Sequence, residues 1–119
     1  MEDFPYVNEV LVVGRLSEVP VVKTLPSGDP IMMWRIIVDR PEEERRSSRK
    51  VVDTFNCATF DSRLFGSVEE WQADDMLEIR GTLRRRFWVG GGSSYEIIAR
   101  QAVLSHREAP EGSHTPSTP

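Results

Sequence analysis

Residues 61–88 read DSRLFGSVEEWQADDMLEIRGTLRRRFW, and the period of the apolar residues changes in the middle of the run. Leu64, Phe65, Val68 and Trp71 recur at i, i+1, i+4 and i+7, the spacing of one helical face. A helix is expected over residues 62–72, with Asp61 or Ser62 as its N-cap. From Met76 the period drops to two. Leu77, Ile79, Gly81 and Leu83 then fall on one side of a long strand as its core face, and Arg80, Thr82, Arg84, Arg86 and Trp88 on the other. Asp74 and Asp75 supply the turn between helix and strand, and no neighbour of theirs points to acid–base catalysis.

Outward from this segment the chain reads as strands. Upstream, β-branched and aromatic residues crowd into residues 8–16 (NEVLVVGRL), 21–25, 31–38 (IMMWRIIV) and 51–60 (VVDTFNCATF). The PSGDP stretch at 26–30 is a turn on mechanism, since proline presets φ and glycine accepts φ > 0. Downstream, residues 95–104 form the return strand of a hairpin whose loop is VGGGSS at 89–94. Four runs precede the helix, and three β elements there, one helix and a long hairpin give the order β-β-β-α-β-β. That order predicts an all-β fold with one helix, a five-stranded Greek-key OB barrel with the helix plugging one end. A β-sandwich would not ask for a helix there.

The chain has 119 residues, 39% of them hydrophobic and 29% charged, which is one domain able to bury a core. We place that domain at residues 1–104 and read 105–119 (SHREAPEGSHTPSTP) as a flexible polar tail, too poor in apolar groups to repay ordering. No apolar run is long enough to span a bilayer, and Met1-Glu2-Asp3 is acidic where a signal peptide is basic, so a soluble, cytoplasmic protein is expected. Cys57 is the only cysteine, and His106 and His114 both lie in the polar end. Neither a disulfide framework, a zinc cluster nor a histidine-based catalytic site can be assembled from these, so no enzyme, metal or cofactor is expected. Residues 8–16 and 31–38 are apolar on nearly both faces, more than one small barrel can bury, which predicts a homo-oligomer.

Net charge is −4, so nucleic acid could be held only by a locally basic surface. The Arg84, Arg86 and Trp88 face supplies one: guanidinium groups pair with phosphates and an exposed indole offers a π-face to any base. The alternative is a solvated charged strand, with Trp88 packed under the hairpin or in a subunit contact. Arg35, between Trp34 and Ile36, must emerge on the opposite face from both and can reach a phosphate. Trp34 and Trp71 are read as core. Phe55 shares a face with Asp53, Cys57 and Thr59, a partly polar set that suits the open side of the barrel, while Phe60 has the opposite parity. Gly90-Gly91-Gly92 lacks a following Gly-Lys-Ser/Thr and is a hairpin loop, and residues 41–50 (PEEERRSSRK) are a solvated loop whose charges partly cancel.

Taken in order, these residues resemble the bacterial single-stranded-DNA-binding proteins. The likeness runs from Asn8-Glu9-Val10 and Gly14-Arg15-Leu16 through Ser27-Gly28, Ile31 to Trp34 and Val38-Asp39-Arg40. It continues through Thr54-Phe55-Asn56, Phe60, Gly81-Thr82-Leu83, Arg84 and Arg86-Phe87-Trp88 to Tyr95-Glu96. The resemblance implies an OB-fold homotetramer, or a dimer, that wraps single-stranded DNA without catalysis and acts at the nucleoid in replication, recombination or repair. By position it implies base stacking on Phe55, Phe60 and Trp88 and phosphate contacts from Arg35, Arg84 and Arg86. Two departures stand out: Arg40-Pro41-Glu42 occupies the place of a further stacking tryptophan, and Ser117-Thr118-Pro119 stands where the family carries an acidic, phenylalanine-ended tip. They fit a short paralogue without tail-mediated recruitment. The competing function is an OB-fold interaction or primosome-like structural subunit with weak or no DNA binding.

Overall fold

The structure, a computed structural model, describes residues 5–45 and 51–107. Its strands are β1 (Val10–Leu16), β2 (Val21–Thr24), β3 (Pro30–Asp39), β4 (Val52–Thr59), β5 (Met76–Phe87) and β6 (Ser93–His106), with helices α1 (Glu42–Arg45) and α2 (Ser62–Glu69). The sheet order is β1-β5-β6-β4-β3-β2, and β1 also pairs with β3. That extra pairing closes a ring of β1, β5, β6, β4 and β3. Three ring strands precede α2 and two follow it, as expected for an OB barrel. The run at 21–25 is not part of the ring. It forms the four-residue β2, which hangs on β3 outside the barrel.

Closure rests on a short parallel contact, Cys57↔Ile97 and Ala58↔Ile98, whereas every other pairing is antiparallel. Gly81 permits the tight passage of β5 past β6, because a Cβ there would collide with the Ile98 carbonyl. The register slips between Arg80 and Gly81, so β6 carries an extra residue and bends.

The interior is filled by Leu16, Trp34, Ile36, Leu77, Ile79 and Ile97, all buried, together with Val68 and Trp71 from the α2 segment. Trp34 and Trp71 meet edge to face, with ring centroids 5.1 Å apart and planes at 83°. Asp61 is the cap of α2: its carboxylate accepts from the Arg63 backbone N–H at 3.0 Å. The helix is shorter than its periodicity predicts. It ends at Glu69, and Trp71 reaches the core from the turn that follows rather than from the helix itself.

Two other expectations change. Glu42–Arg45 forms a single helical turn where a loop is expected, and the remainder of that charged run, 46–50, lies outside the described residues. The tail boundary also shifts: β6 runs through Ser105 and His106, and Arg107 is tied back to the barrel. Its Nε and Nη2 donate to the two carboxylate oxygens of Asp75, each at 2.8 Å, and Nη2 also donates to the Glu70 carbonyl. Residues 108–119 of the expected tail lie outside the described residues.

Asp75 is therefore a buried carboxylate, not only a turn residue. The Arg107 guanidinium and the Gln72 backbone N–H hold its carboxyl below the usual range, against a desolvation that pushes the other way. A folded-state value below the unfolded one adds stability above the unfolded pKa of about 4, and that stability disappears as pH falls through the folded value. Asp75→Asn should accordingly lower stability at pH 7 by about 1–3 kcal/mol. The gap between the two proteins should narrow in denaturant melts below about pH 4. A gap that is constant with pH would show that the pair carries no ionic stabilisation.

Candidate nucleic-acid interface

Strand pleating decides which side chains leave the barrel. On β3, Trp34 and Ile36 turn inward and Arg35 outward, where its Nε donates to Asn56 Oδ1 at 3.2 Å. Arg35↔Asn56 is a register pair of β3 and β4, so the two lie side by side on one outer face. The same face continues onto β6 with Ser94 and Glu96 and onto the end of β5 with Arg86. Together these residues, Trp88 and the Ser17–Val19 turn line a groove of about 410 Å3.

At one end of the groove, Trp88 is 51% exposed and Arg86 Cζ stands 5.6 Å from its ring centroid. A cation over an indole at that distance is a cation–π contact. Arg86 Nη1 is also 3.5 Å from Glu96 Oε2, a long contact to a carboxylate that is buried. Glu96 thus offsets part of the positive charge that Arg86 brings. Arg84, one row back on the same face, is exposed and has no ionic partner among the described residues. At the floor, Cys57 is a buried free thiol whose pKa is pushed up to about 12 by desolvation and by the Glu96 charge. Such a thiol stays protonated and is not a nucleophile.

Of the six residues singled out from sequence, Arg35, Arg86 and Trp88 come together in this groove, and Arg84 lies on the strand beside it. The two phenylalanines part company. Phe55 pairs across the sheet with Ile36 and packs, half-buried, against the core. The open-face position expected for it is not what the structure shows, since its parity is that of the interior. Phe60 is 45% exposed just past the end of β4 and is not among the residues that line the groove.

Leu83, placed in the core by period-two reading, is 40% exposed. The reason is the length of β1: its pairing with β5 ends at Val10↔Gly81, and the Asn8 side chain caps the sheet edge by bonding Leu83 N and O at 2.9 and 2.7 Å. Beyond that point β5 and β6 continue as a bare two-stranded hairpin. Asn56 and Glu96 are groove residues that parity alone did not single out, and the only sequence signal for them was their place in the family-like pattern. Among the described residues no cluster of His, Cys, Asp or Glu suits a metal, and no described helix is long and apolar enough to cross a membrane.

A five-strand ring plugged by a helix between its third and fourth strands, with an arginine- and tryptophan-lined groove on its outer face, defines an OB-fold binding protein. The model of the Single-strand binding protein family matches residues 7–105, and this chain belongs to that family, one of non-enzymatic DNA-binding proteins. It is 26% identical over 108 residues to a single-stranded DNA-binding protein of Aquifex aeolicus (strain VF5), spanning 84% of this chain and 71% of that one. In three dimensions it resembles a Plasmodium falciparum SSB solved in complex with ssDNA. The TM-score is 0.64 at 17% identity, over 86% of this chain and 96% of the other.

Proposed function

We propose that this chain binds single-stranded DNA without regard to sequence and shields it during replication, recombination or repair. The observation that carries the reading is the half-open Trp88 indole, held under Arg86 at the mouth of a groove that also contains Arg35. An indole face stacks on any unpaired base, and the arginines of the same face meet the backbone. Phe60 extends the stacking surface at the end of β4, while Phe55 supports it from the core side. Both similar proteins named above are described as binding or carrying single-stranded DNA, which supports the reading.

The arginines are not equivalent. Among the described residues Arg84 has no ion pair and Arg35 bonds only a neutral amide, so each can neutralise a phosphate. Arg86 already shares its charge with Glu96. Titration of a labelled oligothymidylate at several salt concentrations should show the log–log slope shrinking by about 0.7 for Arg35→Ala and for Arg84→Ala, and by less for Arg86→Ala. Duplex of the same length should bind more weakly. Equal affinity for duplex, or a slope that ignores all three substitutions, would leave an interaction subunit as the better description.

The reading includes self-association, as a homotetramer or a dimer. Leu11 and Val13 on β1 are each 47% exposed and Val103 on β6 is 52% exposed, part of a strip on the side of the barrel formed by β1, β5 and β6 in which these apolar groups are interleaved with Arg80 and Glu78, the β5 register partners of Leu11 and Val13. Covering that strip from water favours assembly. The assembly should be unchanged on truncation after Arg107, which keeps the tie to Asp75. A monomer in sedimentation at micromolar concentration would refute it.

A further inference from the structure

Past Leu83 neither β1 nor β4 pairs with the β5–β6 hairpin, and side chains on both of its faces reach solvent. One face holds Arg84, Arg86 and Trp88. The reverse face holds Phe87, 71% exposed, and Tyr95, 58% exposed, with the Arg85 guanidinium between them. Arg85 Cζ lies 5.0 Å from the Phe87 ring centroid and 5.9 Å from that of Tyr95, and its Nε donates to Ser93 Oγ at 3.0 Å. The register Arg85↔Tyr95 and Phe87↔Ser93 gathers all four into one patch of the ladder. Among the described residues Arg85 has no carboxylate partner.

We propose that this reverse face is a second stacking surface for an unpaired polynucleotide, so that a bound strand grips the hairpin from both sides. The inference rests on the groove reading above and extends it to residues that reading does not use. Two exposed rings flanking a guanidinium that has no carboxylate partner among the described residues match the two parts of a single strand, base faces and backbone phosphate. Charge favours the same occupant. Arg84, Arg85 and Arg86 alternate between the faces, so the hairpin carries arginine on both, and among the described residues only Arg86 of the three has an acidic partner. The path between the faces is clear: Phe87 precedes Trp88 directly, and the tip they share is Gly90-Gly91-Gly92, whose positive φ angles need glycine and which adds no side chain to obstruct a passing strand.

The test compares the full-length parent with Phe87→Ala/Tyr95→Ala, Phe87→Leu and Arg85→Ala. Tryptophan fluorescence reads the groove, with a short oligothymidylate and a long one as probes. For the double variant we expect long-oligomer affinity to fall at least tenfold, from stacking worth about 1–3 kcal/mol per base. The occluded site size should shorten, and quenching by the short oligomer should stay parental. Phe87→Leu keeps apolar area without a π-face, and it should lose part of the long-oligomer affinity as well.

Parental affinity and site size for the double variant, with Trp88→Ala still defective, would overturn this inference and leave the groove reading standing. A parent that binds neither oligomer would remove both. A changed sedimentation coefficient in the double variant, with binding per assembled molecule unchanged, would assign the face to a subunit contact and likewise overturn the proposal.

Discussion

Trp88→Ala is expected to weaken single-stranded DNA binding by about 1–3 kcal/mol, roughly 5- to 150-fold, while the protein melts close to the parental temperature. The two halves of that result come from the same geometry. Trp88 is 51% exposed and stands outside the clusters of buried residues that make the core. Removing it leaves the core packing in place, so the loss of stability should be well below the cost of truncating a buried tryptophan, about 3–5 kcal/mol. What it forfeits is the platform and the cation–π contact that holds Arg86 over the groove. Quantitative binding beside a thermal melt checks both halves. A variant that melts much earlier yet binds normally per folded molecule would assign Trp88 to the structure, and the proposed DNA path along β5 would be wrong.

Trp71→Ala should do the reverse. Trp71 is 4% exposed and edge-on to Trp34, which closes the end of the barrel that α2 plugs. Truncating a buried tryptophan costs about 3–5 kcal/mol in lost transfer and cavity terms. Against the total of about 5–15 kcal/mol typical of a domain this is a large share. The melting temperature should fall by roughly 15–30 °C. Binding per folded molecule should persist, because the groove is lined by β3, β4 and the β5–β6 hairpin, not by α2. A small shift in melting temperature would mean that the helix plug is dispensable to the barrel.

These two tryptophans show how local and non-local information divide. Trp71 is legible in sequence: it repeats with Leu64, Phe65 and Val68 at helical spacing, and a period of that kind arises only when one face is to be covered. Trp88 is not settled the same way, since alternation along β5 places it on the arginine face but does not say whether that face is covered. The structure supplies the missing fact, which is where β1 stops pairing with β5.

From the sequence alone came the strands, the helix and its cap, the barrel order, the burial of Trp34, Trp71, Leu77 and Ile79, and the outward turn of Arg35. Each depends on periods of two or 3.6 and on turn chemistry, which act over a few residues. Tertiary structure alone decided the rest. It sent Phe55 to the core and left Phe60 open, exposed Leu83, set Asn56 beside Arg35, and tied Arg107 to Asp75. It also distinguished Arg86, beside the Glu96 carboxylate, from Arg84, which has no acidic partner among the described residues. In every one of these cases the deciding neighbour lies on another element, and a side chain's burial and charge balance are set by what the closed sheet brings against it, which no local period encodes.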